Sequence, residues 1–200
     1  MVSVMEEFYK KLTKGVRKSK DKIAIFICGS SGTGKTTSRD ALIKDAGLKR
    51  TFVYLNIDDN RDIISTYTEL QKVAYRVIED GYNLVWDKTC RNTQEVLEEL
   101  AILKKHNYTT IVSMVYAELG TVLKRVSLRT QQPIEKDIAK GIYSELKRKA
   151  HRYMESPHVD EIFLYNNQST LKLVYHKEDK EVECISPESN FYFDLKPYCS

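Results

Sequence analysis

The stretch Gly29-Ser30-Ser31-Gly32-Thr33-Gly34-Lys35-Thr36 constrains this chain more than any other segment of its length. It follows Ile23-Ala24-Ile25-Phe26-Ile27-Cys28, a short, continuously apolar run of the kind a strand shows when both faces of a parallel sheet are covered. A helix is expected behind it, through about Ala46. The glycines let the backbone curl so that successive N–H groups point inward, and the helix adds the positive end of its dipole. Such a turn is a cradle for phosphate oxygens. The spacing fits the phosphate-loop pattern G-x-x-x-x-G-K-[ST], which a chain of this length would match by chance less than about once in a hundred. In that pattern Lys35 reaches the β- and γ-phosphates and the Thr36 hydroxyl coordinates Mg²⁺. Gly29, Ser30, Ser31, Gly32, Thr33, Gly34, Lys35, Thr36 and the adjoining Thr37 are therefore the expected nucleotide-binding residues, with ATP and Mg²⁺ as cofactors.

The rest of the chain alternates strand and helix. Thr51 to Asn56 predicts a second strand, after which Ile63, Ile64, Tyr67, Leu70, Val73, Ala74 and Val77 recur at helical spacing. Asn83-Leu84-Val85-Trp86 predicts a third strand ending in Asp87. A helix should start near Asn92, with Glu95 as its capping-box partner and Val96, Leu97, Leu100 and Leu103 as its apolar face. Thr109 to Tyr116 is a fourth strand, rich in β-branched residues. A short basic helix (Leu119 to Arg129) and a longer one (about Glu135 to Met154) precede a fifth strand at Glu161 to Tyr165. Leu171 to Tyr175 and Glu181 to Ile185 read as an added hairpin. This spacing predicts an α/β, P-loop NTPase-type three-layer fold. It has a central parallel sheet with helices on both faces, a helical lid at about 117–133 and a C-terminal β-hairpin at about 168–187. No repeat or linker divides it, so 23–200 is expected to form one domain behind an N-terminal basic helix over 1–22.

Composition excludes several other classes. With 42% apolar and 30% charged residues the chain is ordinary globular material. No apolar run is long enough to cross a bilayer, and Met1 to Ile23 has no apolar signal core. The net charge of +4 permits a polyanionic partner without arguing for one. The basic residues between Lys10 and Lys22 accompany Phe8, Leu12 and Val16 at helical spacing, which predicts a surface helix leading into the fold. Cys28, Cys90, Cys184 and Cys199 lack the close spacing of a zinc knuckle or redox pair and are expected as reduced thiols in a cytoplasmic protein. His106, His151, His158 and His176 are scattered, so neither a zinc site nor a histidine triad is expected. Trp86 is expected to pack in the core.

A phosphate loop establishes nucleotide binding, and the reaction must be read from the other strand ends, where ligands of open α/β sheets sit. The second strand ends in Asn56-Ile57-Asp58-Asp59-Asn60-Arg61, which delivers a carboxylate beside the phosphate loop. A general base accepting a hydroxyl proton during phosphoryl transfer must stand there, and Asp58 is the expected base. Its neighbour then remains available to cap the following helix. The third strand ends in Asp87-Lys88-Thr89-Cys90-Arg91, where Asp87, Thr89 and Arg91 offer an acceptor, a hydroxyl and a cation to a polar substrate. Arg125 and Arg129 are four apart on the predicted lid helix and suit neutralisation of a transferring phosphoryl group.

These residues resemble the zeta-toxin and polynucleotide-kinase branch of P-loop kinases over roughly Ile23 to Tyr175. In zeta toxins an Asp after the second strand acts as base, matching Asp58. An acid-Gly-Thr-x-Arg segment there contacts a UDP-N-acetylhexosamine, and Asp87-Lys88-Thr89-Cys90-Arg91 is similar, with Lys88 in place of Gly. The run from Asp160 to Asn167 and the hairpin after it are also zeta-like. Phage-type 5′-hydroxyl polynucleotide kinases carry Asn-x-Asp-Asp-x-Arg, matched by Asn56, Asp58, Asp59 and Arg61, with the Arg on the acceptor phosphate. Their lid, Lys-Arg-x-x-x-Arg before a Pro, is matched by Lys124, Arg125, Arg129 and Pro133. The zeta lid instead places its second Arg nearer the Pro, where this chain has Gln131 and Gln132. The resemblance implies a kinase that moves the γ-phosphate of ATP to a hydroxyl of a nucleotide-sugar, or alternatively of a nucleic-acid 5′ end. Arg61, Asp87, Thr89 and Arg91 would hold the acceptor, and Lys35, Asp58, Arg125 and Arg129 would act on the reacting groups. A small antitoxin-like protein is an implied partner. Two other classes fit less of the sequence. A nucleotide-dependent switch has no need of a strand-end base with a two-Arg lid, and a pure nucleic-acid binder using Lys10 to Lys22 leaves the phosphate loop idle.

Overall fold

The computed structural model describes residues 4–48, 51–64, 66–130 and 133–199. Gln131 and Gln132 lie outside them. The strands are β1 (Lys22–Cys28), β2 (Val53–Leu55), β3 (Leu84–Lys88), β4 (Tyr108–Tyr116), β5 (Glu161–Asn166), β6 (Lys172–Glu178) and β7 (Glu181–Cys184). The helices are α1 (Val4–Thr13), α2 (Lys35–Asp45), α3 (Tyr67–Glu79), α4 (Thr93–Lys105), α5 (Leu119–Ser127) and α6 (Lys136–Lys149). One sheet runs in the order β2-β3-β1-β4-β5-β6-β7. Its first five strands are parallel, and β6 and β7 add on antiparallel as the hairpin.

Alternation along β1 divides the core. Ala24, Phe26 and Cys28 face the larger apolar layer, built with α1, α3, α4, α5 and α6, whereas Ile25 and Ile27 face a smaller layer closed by α2 through Leu42. Helices thus cover both faces, but unequally. Trp86 is buried in the larger layer, tilted against Phe26 with ring centroids 5.5 Å apart, as expected of a packing residue. Helix α1 docks through Phe8 and Tyr9. Several of the basic side chains around it are engaged locally, Lys10 with Glu6, Lys11 with Asp62 and Lys18 with Asp80.

Some boundaries differ from expectation. The capping box forms at α3, where Thr66 accepts the Glu69 N–H and Glu69 accepts the Thr66 N–H. At α4 the Asn92 side chain instead donates to the Glu95 carboxylate at 2.8 Å and makes no bond to the helix backbone. Helix α5 ends at Ser127, so Arg129 lies in the turn beyond and does not share a helix with Arg125.

The cysteines overturn the expectation of free thiols. Cys28 is bridged to Cys90 and Cys184 to Cys199. Sequence spacing hides the first pair because they are 62 residues apart, yet β1 lies parallel to β3 with Cys28 opposite Lys88, which brings the following loop alongside. The cytoplasmic setting inferred from reduced thiols loses that argument. No described helix is long and apolar enough to cross a membrane.

Candidate active site

The carboxyl ends of β1, β2 and β3 and the lid open onto one cleft of about 840 Å³. The phosphate loop forms its floor between β1 and α2. Gly32 has φ +88°, and a Cβ there would stand 2.9 Å from the Val122 carbonyl of α5, so a glycine is needed both for the turn and for the lid's approach. Thr33 donates to the Ser30 carbonyl at 2.8 Å, closing the turn on itself. Ser31, Gly32, Gly34, Lys35 and Thr36 line the cleft, whereas Ser30 and Thr33 are buried behind it and Thr37 is not among the lining residues.

The Lys35 ammonium donates to the Gly29 carbonyl at 3.2 Å and stands 3.8 Å from Asp87. That proximity follows from register, because Asp87 pairs with Ile27 inside β3, one residue before Cys28. Asp87 is buried and accepts hydrogen bonds from Tyr54 at 3.0 Å and Asn56 at 3.2 Å. Burial pushes its carboxyl above the ordinary range, against the pull of Lys35 and the Tyr54 bond. Tyr54 is in turn pushed up to about 12, by burial and then by the Asp87 charge, and stays a donor.

Asp58 and Asp59 form a single 3₁₀ turn with Asn60 and line the cleft. The Asn56 side chain accepts the Asp58 N–H at 2.7 Å, which fixes where this turn begins. Arg61 bonds Asp58 through Nε and Nη2 at 3.1 and 3.0 Å and does not itself line the cleft. Thr89 and Arg91 line it, Cys90 between them taking a left-handed conformation (φ 55°) under the disulfide. Both lid arginines reach it as well. Arg125 donates to the carbonyls of Gly32 at 3.4 Å and Gln168 at 3.3 Å, tying lid to phosphate loop.

Sequence reasoning missed several members. Lys88 turns away from solvent into a buried network with Glu99, Tyr67 and, at 3.7 Å, Glu95, which joins β3 to α3 and α4. Burial pushes the Lys88 ammonium down and the Glu99 carboxyl up, each partner opposing the other's shift. Asn167 donates to the Thr33 carbonyl at 2.7 Å, and Arg39 lies over the Tyr54 ring. Away from the cleft, His176 meets a carboxylate after all, 2.8 Å from Glu161 across the β5–β6 ladder. The thioether-free donor set in the cleft, a Thr36 hydroxyl with carboxylates, is the hard-oxygen kind that Mg²⁺ favours.

A parallel sheet, a phosphate loop at its central strand, acids on the neighbouring strands and an arginine-bearing lid over one cleft define a P-loop kinase. The chain belongs to the Zeta toxin family, whose sequence model matches residues 7–76 and 70–180. No curated protein sequence matches it. In fold it is similar to the structure reported for the PezAT chromosomal toxin–antitoxin system of Streptococcus pneumoniae, at 19% identity and TM-score 0.64, over 86% of this chain and 78% of that one. It is also similar to AvrRxo1-ORF1:AvrRxo1-ORF2 with sulphate ions, at 14% identity and TM-score 0.66, over 92% of this chain and 70% of that one. The same complex solved with ATP gives TM-score 0.64 at 14% identity, over 92% and 69%.

Proposed function

We propose that this kinase transfers the γ-phosphate of MgATP to a hydroxyl of a nucleotide-sugar of the UDP-N-acetylhexosamine type. The observation that carries the reading is that Lys35, Asp58, Thr89, Arg91, Arg125 and Arg129 all line one cleft. Lys35 and the loop N–H groups hold the β- and γ-phosphates. Asp58 takes the proton of the acceptor hydroxyl as its oxygen bonds to the γ-phosphorus and the bond to the β–γ bridging oxygen breaks, releasing ADP. Arg125 and Arg129 stabilise the charge on the equatorial oxygens. Thr36, with Asp87 nearby, would hold Mg²⁺, which when bound neutralises phosphate charge. Thr89 and Arg91 hold the acceptor.

Family membership and the ATP complex of a structural neighbour support the donor. Membership of the Zeta toxin family supports the sugar nucleotide over a nucleic-acid 5′ end, and Arg61, expected on the acceptor phosphate of a polynucleotide kinase, pairs with Asp58 at the surface. The toxin–antitoxin system of another neighbour supports a small inhibitory protein partner. The test is γ-³²P transfer from ATP with Mg²⁺ to a UDP-N-acetylhexosamine and to a 5′-hydroxyl oligonucleotide side by side, with Lys35→Ala as blank. Label on the sugar nucleotide is the expected result, and label on the oligonucleotide alone would replace this reading with the end-kinase one.

A further inference from the structure

The family match ends at residue 180, yet the segment beyond it returns to the phosphate loop. Cys184 closes β7 and is bridged to Cys199, a sequence separation of 15. The loop between them is pinned where Asn166 donates to Ser189 and Asn190, and where Asn190 donates to Glu118. Its centre is Tyr192, only 2% exposed. The ring packs edge-on against Tyr116 and Tyr143, with centroids 5.2 and 5.5 Å away. The hydroxyl donates to the Val115 carbonyl near the end of β4 at 3.0 Å and accepts the Ser30 backbone N–H at 3.2 Å. Burial pushes this phenol far above the ordinary range, so it remains a donor.

Ser30 is the second residue of the phosphate loop. Its N–H points back to Tyr192, and its hydroxyl donates to the Ala139 carbonyl of α6 at 3.3 Å. The loop is thus anchored from behind, and the anchor fixes the direction of the N–H groups that remain for phosphate. We propose that Tyr192 is a positioning residue of the phosphate loop and that the Cys184–Cys199 disulfide, by holding Tyr192 there, makes nucleotide affinity depend on the redox state of that bridge. The proposal rests on the reading of Gly29 to Thr36 as the ATP site.

The two disulfides differ in reach. Cys28 and Cys90 are buried, whereas Cys184 and Cys199 are half-buried, so a small dithiol meets the second bridge first. Its thiolate attacks one sulfur, and its other thiol resolves the mixed disulfide. Two electrons and two protons pass to Cys184 and Cys199, which become thiols, and the reductant leaves as its own disulfide. Tyr192 then keeps the Ser189 and Asn190 bonds and its own packing but loses the covalent closure of its loop.

The test measures ATP affinity of the full chain by calorimetry and exchange of the Ser30 amide hydrogen without nucleotide. The samples are oxidised wild type, wild type after dithiol, Tyr192→Phe, Cys184→Ser/Cys199→Ser, and the triple variant, with alkylation and mass mapping to show which bridge has opened. Tyr192→Phe keeps the ring and removes one buried hydroxyl, so ATP affinity should fall about five- to tenfold. Ser30 exchange should quicken, and opening the Cys184–Cys199 bridge should reproduce both effects. The triple variant should be little worse than the double. Unchanged affinity and unchanged Ser30 exchange in Tyr192→Phe would overturn the proposal. So would losses from Tyr192→Phe and from the opened bridge that multiply fully, because the bridge would then act elsewhere. If oxidised wild type fails to bind ATP while Ser30 exchange still responds to Tyr192→Phe and to dithiol, the ATP-site reading and the affinity claim fall and only the loop anchor stands.

Discussion

Lys88→Met should destabilise the fold by about 3–5 kcal/mol, the cost of leaving a buried charge without its partner. The side chains of Lys88 and Glu99 are 9% and 1% exposed, and the ammonium lies 4.7 Å from the ring centroids of both Tyr67 and Trp86. Methionine keeps most of the apolar stem, one atom shorter, so the substitution removes chiefly the charged, donating head group. Glu99 would retain the Tyr67 and Gln71 donors, at 2.9 and 3.1 Å, but no cation. Against a total stability of roughly 5–15 kcal/mol this is a large fraction. Lys88→Met/Glu99→Leu should recover most of it, because replacing both partners by apolar groups is often neutral. The loss should also depend on pH. Burial already pushes the Glu99 carboxyl up, and removing Lys88 removes its main opposing charge. The native state then keeps a proton that the unfolded chain releases near pH ~4.3, so the variant is most stable below that pH and weakens as pH rises through the native value. Urea unfolding of wild type, single and double variants at pH 5 and pH 8 measures this. A single variant within about 1 kcal/mol of wild type, or a penalty no larger at pH 8 than at pH 5, would refute the reasoning.

Two further outcomes follow from the cleft. Gly32→Ala should lose about 1–3 kcal/mol to its positive φ and to the Val122 carbonyl 2.9 Å from the new Cβ, measured by thermal unfolding, and should weaken ATP binding as the lid is displaced. Arg125→Ala should lower phosphoryl transfer on the order of 10²–10³-fold in steady-state assays while the unfolding midpoint changes little, since among the described residues its side chain bonds carbonyls of the phosphate loop and of Gln168 at 3.4 and 3.3 Å.

The sheet and the phosphate loop were legible because their signals are local. An apolar run, three glycines and a Lys-Thr pair lie within a few residues of each other, and each strand end carried its acid or cation in sequence. Asp87 was legible as a residue, but its bond from Tyr54 and its approach to Lys35 depend on the β1–β3 and β2–β3 registers, which periodicity does not give. The sequence points to a capping box at Asn92, yet the box forms at Thr66, because the β-region backbone at Thr66 presents its oxygen to the Glu69 N–H while Asn92 spends its amide on Glu95. Lys88 read as an intruder in a glycine position, and only the packing of α3 and α4 shows that Glu99 receives it. The Cys28–Cys90 disulfide and Tyr192 were hidden for a plainer reason: their partners are brought close by parallel crossover or by chain return over long separations.

The central claim is tested most directly by γ-phosphate transfer with Asp58→Asn and Lys35→Ala beside wild type, with ATP affinity measured on the same samples. The account predicts that Lys35→Ala loses both ATP binding and transfer. Asp58→Asn should bind ATP as wild type does and lose transfer by about 10²–10⁴-fold, as expected for a missing general base. Transfer at near wild-type rate by Asp58→Asn would contradict the account.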